Sequence, residues 1–404
     1  MQANFMYISK EVISKSNRNI PSLVTLPVEL VYCILDSLDM LTILLSFRNV
    51  CTRLSNITNT YHRYKTFTIL DLTHHKLNEQ QFQCLANTLR NNKTLTEIHL
   101  RCKQIDNQKT KDLTDALKTD TTLITLVLSN NAIGTDGVQY LANLLNNNKT
   151  LMKLDLGCNK IGSEGIRYIA DVLHNNHTLT ILNLEINNIG NQGTQYLTNA
   201  LENNTTLTIL MLSNNCIDHE GAQYLANMLC KNKTLLTLIL SDNRIGSQGV
   251  KYLANALCNN KTLTKLHLRL NRINSDGAQY LADVLYNNNT LTELYLGWND
   301  IGNQGVKYLG NALYNNHTLH ILHLEYNNID CVGAQYLAYA LQKNKTLIQL
   351  YLACNKIKNQ GAQYLFNILK NNQTLTIINI QSNEIDFHDI QYLTDTLEKQ
   401  RIQF

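Results

Sequence analysis

The sequence predicts an α/β solenoid, a right-handed coil of strand, turn, helix, turn units with a small all-α module ahead of it. Three observations predict this. A Thr-Leu pair recurs every 28 residues from Thr94-Leu95 to Thr374-Leu375 without an insertion. Within each unit the hydrophobic period changes from two to about 3.6. Residues 22–64 keep neither the step nor the frame.

The leader, residues 1–21, mixes Lys10, Lys15 and Arg18 with polar residues and has no apolar stretch of the kind a secretory signal needs. The longest apolar runs, Val28 to Leu35 and Met40 to Phe47, fall far short of the about 20 residues that span a bilayer. Ten cysteines occur without a C-x-x-C pair, and Cys102, Cys158 and Cys354 share one repeat offset, so a disulfide framework is not expected. These features lead us to expect an intracellular protein, cytoplasmic or nuclear. Hydrophobic residues make up 44% and charged residues 16%, which supplies a core and excludes a disordered polyelectrolyte. A formal charge of +4 over 404 residues gives no footprint for nucleic acid.

Residues 65–404 hold about twelve units, the first a weak copy at Phe67-Thr68-Ile69-Leu70-Asp71-Leu72. Leu151-Met152-Lys153-Leu154-Asp155-Leu156-Gly157-Cys158-Asn159 reads L-x-x-L-x-L-x-x-N, and its alternation is that of a short strand with one buried face. Ile161 to Gly165 then turn the chain, and Ile166, Ile169, Ala170, Val172 and Leu173 fall on one helical face. Asn175 and Asn176 are expected to end that helix through their tolerance of left-handed and turn backbone. A single unit cannot bury both its strand and its helix stripe, so units must stack. Strands sit about 4.8 Å apart and helices about 10 Å apart, so the stack curves into a horseshoe with the parallel strands concave and the helices convex.

The frame resembles the leucine-rich repeats of the ribonuclease-inhibitor type, which also form the sensing ends of NOD-like receptors. His75 and Lys103 depart from it at the asparagine position, and Asp389 stands where nine earlier units have Gly. Atypical end units are what capping requires.

Asparagines from Asn131 to Asn383 form a ladder at the 28-residue step, read here as satisfying backbone groups at the strand-to-turn bend. Tyrosines from Tyr140 to Tyr392 form a second ladder, each ring expected to pack on a neighbouring helix with its hydroxyl in water. Gly137, Gly165, Gly193 and their repeats permit a tight turn or a close approach. Asn-x-Thr triplets at Asn148, Asn176 and Asn232 are copies of the same consensus.

Partner chemistry belongs at the variable strand positions, which point to the concave face. Early and middle units read as bland there, with Thr125, Val127, Ser129, Thr237, Ile239 and Ser241. After that come Lys265, His267, Arg269, Glu293, Tyr295, Trp298, His323, Glu325, Tyr326, Gln349 and Tyr351. Trp, Tyr and Arg dominate binding hot spots, so this C-terminal stretch is the expected partner site. Phosphate-loop, nucleophile-elbow and zincin motifs are absent, and no cofactor or enzymatic activity is expected. His317, His320 and His323 straddle a turn and a strand without a ligand set in register, so no metal is expected either.

In residues 22–64, Leu26-Pro27-Val28-Glu29-Leu30 opens a helix, with Pro27 expected in its first turn. Leu30, Ile34 and Leu38 follow at every fourth position, beside Val31 and Leu35. Leu26, Pro27, Glu29, Leu30, Ile34, Leu35, Leu38, Val50, Cys51 and Arg53 together resemble the F-box, although Leu54 stands where that family often has Trp. The resemblance implies docking on the adaptor of an SCF-type ubiquitin ligase, with the repeats selecting the substrate. A capped solenoid has no need to self-associate, so the chain is expected to be monomeric outside its complex. A plain N-terminal cap, a free-standing binder or inhibitor, and a Ran-type GTPase activator are the competing readings.

Overall fold

In the computed structural model, residues 26–37, 56–57, 68–90, 92–386 and 402–403 are described. The chain forms two compact units, Met1–Thr68 with Leu77–Thr94, and Ile69–Lys76 with Leu95–Phe404.

The first unit contains helix α1 (Val28–Ser37). The Pro27 carbonyl accepts the first intrahelical bond, from Val31 N at 3.1 Å, which places Pro27 at the opening turn, where its missing N–H leaves no bond unmade. Val31 and Leu35 are fully buried, whereas Leu30 is 50% exposed, so the broad apolar face divides into an inner and an outer edge. Leu38, Val50, Cys51 and Arg53 lie outside the described residues. Helix α2 (Glu79–Leu89) belongs to the same unit and begins with a reciprocal capping box between Asn78 and Gln81.

In the second unit, strands β1 (Ile69–Asp71), β2 (Glu97–His99), β3 (Thr125–Val127), β4 (Lys153–Asp155), β5 (Ile181–Asn183) and β6 (Ile209–Met211) are followed by β7 (Thr237–Ile239) and β8 (Lys265–His267). The series continues through β9 (Glu293–Tyr295), β10 (Ile321–His323), β11 (Gln349–Tyr351), β12 (Ile377–Asn379) and β13 (Ile402–Gln403). All are parallel and lie in one sheet in chain order. Helices α3 (Asn107–Leu117), α4 (Thr135–Asn147), α5 (Gly162–Leu173), α6 (Gly190–Leu201) and α7 (His219–Lys231) alternate with the strands, each packed on the next. So do α8 (Gly246–Leu257), α9 (Asn274–Asn287), α10 (Gly302–Asn315), α11 (Cys331–Lys343) and α12 (Lys358–Leu369). This is the expected α/β solenoid. Strand β13 is an addition to it: Ile402 pairs with Ile378, only 24 residues away, and so stands outside the 28-residue step.

The core lies between sheet and helices. Leu151, Leu154, Leu156, Ile161, Ile166, Ile169 and Leu173 of one unit are each 0–1% exposed, at about 1.5–3 kcal/mol per side chain. Val172, expected on the same stripe, is only half-buried. Among the described residues no helix is long and apolar enough to cross a membrane. The nine described cysteines carry free thiols.

The asparagine ladder clamps neighbouring units together. Asn243 Oδ1 accepts from Asn215 N and Ile217 N of the preceding unit, both at 3.0 Å. Its Nδ2 donates to Leu212 O at 3.0 Å and to Leu240 O at 2.9 Å. Lys103, in the ladder position of an end unit, is buried and donates from Nζ to the Thr73 and His75 carbonyls. Burial pushes its ammonium below the ordinary lysine range.

A second ladder follows the helices, and its mechanism differs from the expected one. The backbone of Asn148 is extended (φ −77°, ψ 135°) and not left-handed. Asn176 Oδ1 caps Thr178 N and Leu179 N at 3.1 and 2.8 Å, while Nδ2 reaches Leu145 O of the preceding unit at 3.1 Å. These asparagines shape the turn after their own helix and cap a C-terminal carbonyl of the preceding unit's helix. At 7%, 5% and 2% exposure, Asn148, Asn176 and Asn232 offer no amide to a glycan in the folded chain.

The helix-entrance glycines serve close approach. A Cβ on Gly193 would stand 2.5 Å from Ile189 Cγ2 and 2.7 Å from Ile166 Cγ2. The turn itself uses a different residue, Gly190, at φ +63°.

Replacing Asn243 by Ala strands two donors and two acceptors, and the full chain should lose about 2–4 kcal/mol by urea denaturation. Asn243→Asp should cost more, because its second oxygen faces the Leu212 and Leu240 carbonyls. That carboxyl is held above its ordinary pKa, so the deficit should grow as pH rises through the carboxylate range. Equal losses for the two variants at all pH values would refute the clamp.

Candidate functional site

Each strand triplet buries its middle residue and turns the flanking two to the open face of the sheet. Because β8 to β11 pair residue for residue, identical positions of successive units stand side by side. A strand spacing of about 4.8 Å is close to the distance at which flat rings stack. The third positions of β8 to β11 are His267, Tyr295, His323 and Tyr351, and they form one column. Their centroids are 3.7, 4.2 and 4.0 Å apart with interplanar angles of 16°, 16° and 6°.

A second column runs beside it. Past each strand the residue before the ladder asparagine takes left-handed backbone, φ 60° at Trp298 and 54° at Tyr326. Their rings stack at 3.8 Å and 19°, and they are 40% and 43% exposed. The Arg269 guanidinium lies 5.7 Å from the Trp298 ring centroid, a cation–π contact.

Polar ends on this face are largely spent on neighbours. Lys265 Nζ pairs with Glu293 Oε1 at 2.8 Å, and Tyr295 OH donates to Glu293 Oε2 at 2.9 Å. His323 Nδ1 faces Glu325 Oε1 at 2.7 Å, and Tyr351 OH donates to Gln349 Oε1 at 3.0 Å. Burial by itself would raise the Glu293 carboxyl, but the hydrogen bonds from Lys265 and Tyr295 and the Lys265 charge bring it below its ordinary value. Burial, and next the bond to Glu293, push the Tyr295 hydroxyl upward. Burial also pulls His267 from 6.5 down to about 4, against the opposing Glu293 charge and with help from His323 and Lys265.

All ten residues expected on the partner face, Lys265, His267, Arg269, Glu293, Tyr295, Trp298, His323, Glu325, Tyr326 and Tyr351, lie on this stretch of the sheet, none of them fully buried. Beside the first column is a depression of about 110 Å³ lined by Arg269, Gly297 and Glu325, by His267, Tyr295 and His323 of that column, and by Ser241 of the preceding unit. Gly297 was not singled out from the sequence. Its signal is a missing side chain in a row that carries Arg269 on one side and Glu325 on the other.

The early face is not as bland as its sequence reads. Arg101 Nε donates to Ser129 Oγ at 3.1 Å, and Ser129 Oγ to Asp155 Oδ2 at 3.0 Å. Thr125, Val127 and Ser129 are themselves buried. On the helix side the ladder tyrosines from Tyr140 to Tyr364 are half-buried, with Lys251 over the Tyr280 ring and Lys307 over the Tyr336 ring. The expected solvation of their hydroxyls is partly replaced: Gln192 donates to Tyr196 OH at 2.9 Å.

Nine segments from 119–142 to 343–366, together just over half of the chain, match the sequence profile of the family described as Leucine Rich repeat. No curated protein matches the chain. Among solved structures, a chain of the yeast Rad7 and Elc1 complex is similar over 100% of this chain and 97% of its own length, with 16% identity and a TM-score of 0.54. A chain of the mouse RP105/MD-1 complex is similar over 83% of this chain and 54% of its own, with 18% identity and a TM-score of 0.48. An internalin from Listeria monocytogenes is similar over 79% and 88%, with 20% identity and a TM-score of 0.47.

Between about pH 6.5 and 4 the unfolded chain takes up a proton at His267 that the folded chain does not, so acid should destabilise the fold across that window. His267→Phe keeps a ring without a proton site. Its urea midpoint relative to the unsubstituted chain should improve from pH 7 to pH 4, and a constant difference would contradict the buried neutral imidazole.

Proposed function

The chain belongs to the leucine-rich-repeat family, and from that premise we propose that it is a protein-binding scaffold, without enzymatic activity, whose partner lies across the open face of β8 to β11. The observation that carries this is the double column of stacked rings, with Trp298, Tyr326 and Arg269 exposed at its edge. Stacked rings supply large contact area with little side-chain entropy left to lose on binding. The depression of about 110 Å³ is well below the roughly 300–1,000 Å³ of small-molecule sites, which favours a macromolecular surface over a cofactor or metabolite.

The finer reading is a substrate receptor of an SCF-type ubiquitin ligase, with residues 22–64 engaging the adaptor and residues 65–404 the target. It is supported by the F-box-like order of Leu26, Pro27, Glu29, Leu30, Ile34 and Leu35, and by the outer edge of α1, where Glu29 and Leu30 are exposed. The receptor itself would act by proximity and orientation.

Two experiments test these levels separately. Proteins cross-linked to the full chain in cells should fall at least tenfold with Trp298→Ala and Tyr326→Ala together, and an unchanged set would remove the scaffold surface from β8 to β11. Purified SCF adaptor should bind the full chain and lose binding with Leu30→Asp, an exposed position whose change leaves the fold intact. No adaptor binding by the unsubstituted chain would reduce the N-terminal module to a cap.

A further inference from the structure

Arg269 and Glu325 occupy equivalent positions two units apart, with Gly297 between them. Parallel strands at about 4.8 Å leave roughly 10 Å between their backbones. A Cβ at Gly297 would lie 3.3 Å from Glu325 Oε2 and 3.7 Å from Arg269 Cγ, so both side chains lean over the glycine from opposite sides. They do not meet. Among the described residues no carboxylate stands within ion-pair range of the Arg269 guanidinium, which rests on Trp298. Glu325 gives Oε1 to His323 and leaves Oε2 toward the gap.

The gap is therefore a slot with a donor group on one wall and an acceptor on the other. The depression that contains it, lined also by Ser241, His267, Tyr295 and His323, has about 110 Å³, which equals three or four water molecules at roughly 30 Å³ each, the size of one short side chain. A Lys or Arg guest would gain Glu325 and face Arg269, and an Asp or Glu guest the reverse. An apolar guest would strip water from both charges and pair neither. A primary carboxamide satisfies both walls, its oxygen accepting from Arg269 and its NH2 donating to Glu325 Oε2. Resting on the scaffold reading above, we propose that this slot takes an asparagine or glutamine side chain of the protein partner and is the specificity-determining position of the surface.

Trp298 is the sole tryptophan and the Arg269 guanidinium rests on its ring, so its fluorescence reports on that wall of the slot. The probes are seven-residue peptides, otherwise of Ala, Gly and Ser, with Gln, Asn, Glu, Lys or Leu at the centre, titrated into the full chain. Gln or Asn peptides should shift the emission at concentrations at least tenfold below the Glu, Lys and Leu peptides. Glu325→Gln should move the preference to Glu, and Arg269→Gln should move it to Lys. Gly297→Val should abolish every response while thermal melting shows the fold retained. Equal response to all peptides, no response to any, or an unmoved preference in the charge variants would overturn the proposal. Partner capture lost with Trp298→Ala and Tyr326→Ala but kept with Gly297→Val would overturn the slot and leave the scaffold. Capture kept by both would remove the scaffold reading itself.

Discussion

The carboxamide that bridges consecutive units is the contact from which the rest of the second unit follows. Leucines at the strand centre and on the helix supply the free energy of stacking, but hydrophobic burial is non-directional and would tolerate a slipped neighbour. The amide of Asn243 does not. Its oxygen holds two N–H groups of one unit while its NH2 bonds a carbonyl of each, and all four bonds require one relative position of the two backbones. The second series, Asn148 to Asn372, applies the same constraint at the other end of the helix. With both ends of each unit fixed, the strands pair residue for residue and the 28-residue period becomes a lattice.

Two consequences of that lattice build the candidate site. Identical positions become columns, so four flat side chains placed 28 residues apart must stack. The bend after each strand also demands left-handed backbone at the residue before the clamp, whatever that residue is. Cys102, Ile186, Leu270, Trp298 and Tyr326 all adopt it, at φ between 54° and 60°. For a β-branched residue such as Ile186 this costs about 1–2 kcal/mol, which the clamp and the core must offset. In exchange the position projects from the sheet, and there the Trp298 and Tyr326 rings lie exposed.

Much of this could be read from the chain directly. The period, the strand and helix halves, the inward leucines and the clamping role of Asn131 to Asn383 follow from pattern and from the need to pair buried backbone. The grouping of Lys265 through Tyr351 on one face follows from the same register. Other features depend on partners a linear reading does not display. Asn176 donates to Leu145 O, 31 residues back, and so caps the preceding unit's helix, a role that single-residue propensity for its own turn does not display. Strand β13 breaks the period and left no trace in it. Arg101, Ser129 and Asp155 belong to three different units, and their network appears only when those units are laid side by side.

That last network distinguishes the two halves of the open face in the polar groups they leave for a partner. Both carry charge. In the early half, Arg101 meets Ser129 and Asp155, and Asp155 Oδ1 takes the Gly157 N–H at 3.0 Å. A partner landing there would have to displace bonds already made, and polar groups that are satisfied contribute little when covered. In the later half the column spends the polar ends of Tyr295, His323 and Tyr351 on adjacent side chains and its ring faces on one another, which leaves ring edges toward the open face. Gly297 interrupts the one row in which a similar closure would occur. A residue with a longer side chain at that position would fill the gap or come between Arg269 and Glu325, so the absence of a Cβ keeps both charges available. In the proposed binding surface, selectivity is thus set less by the aromatic residues that give it area than by a glycine, which prevents the face from satisfying itself.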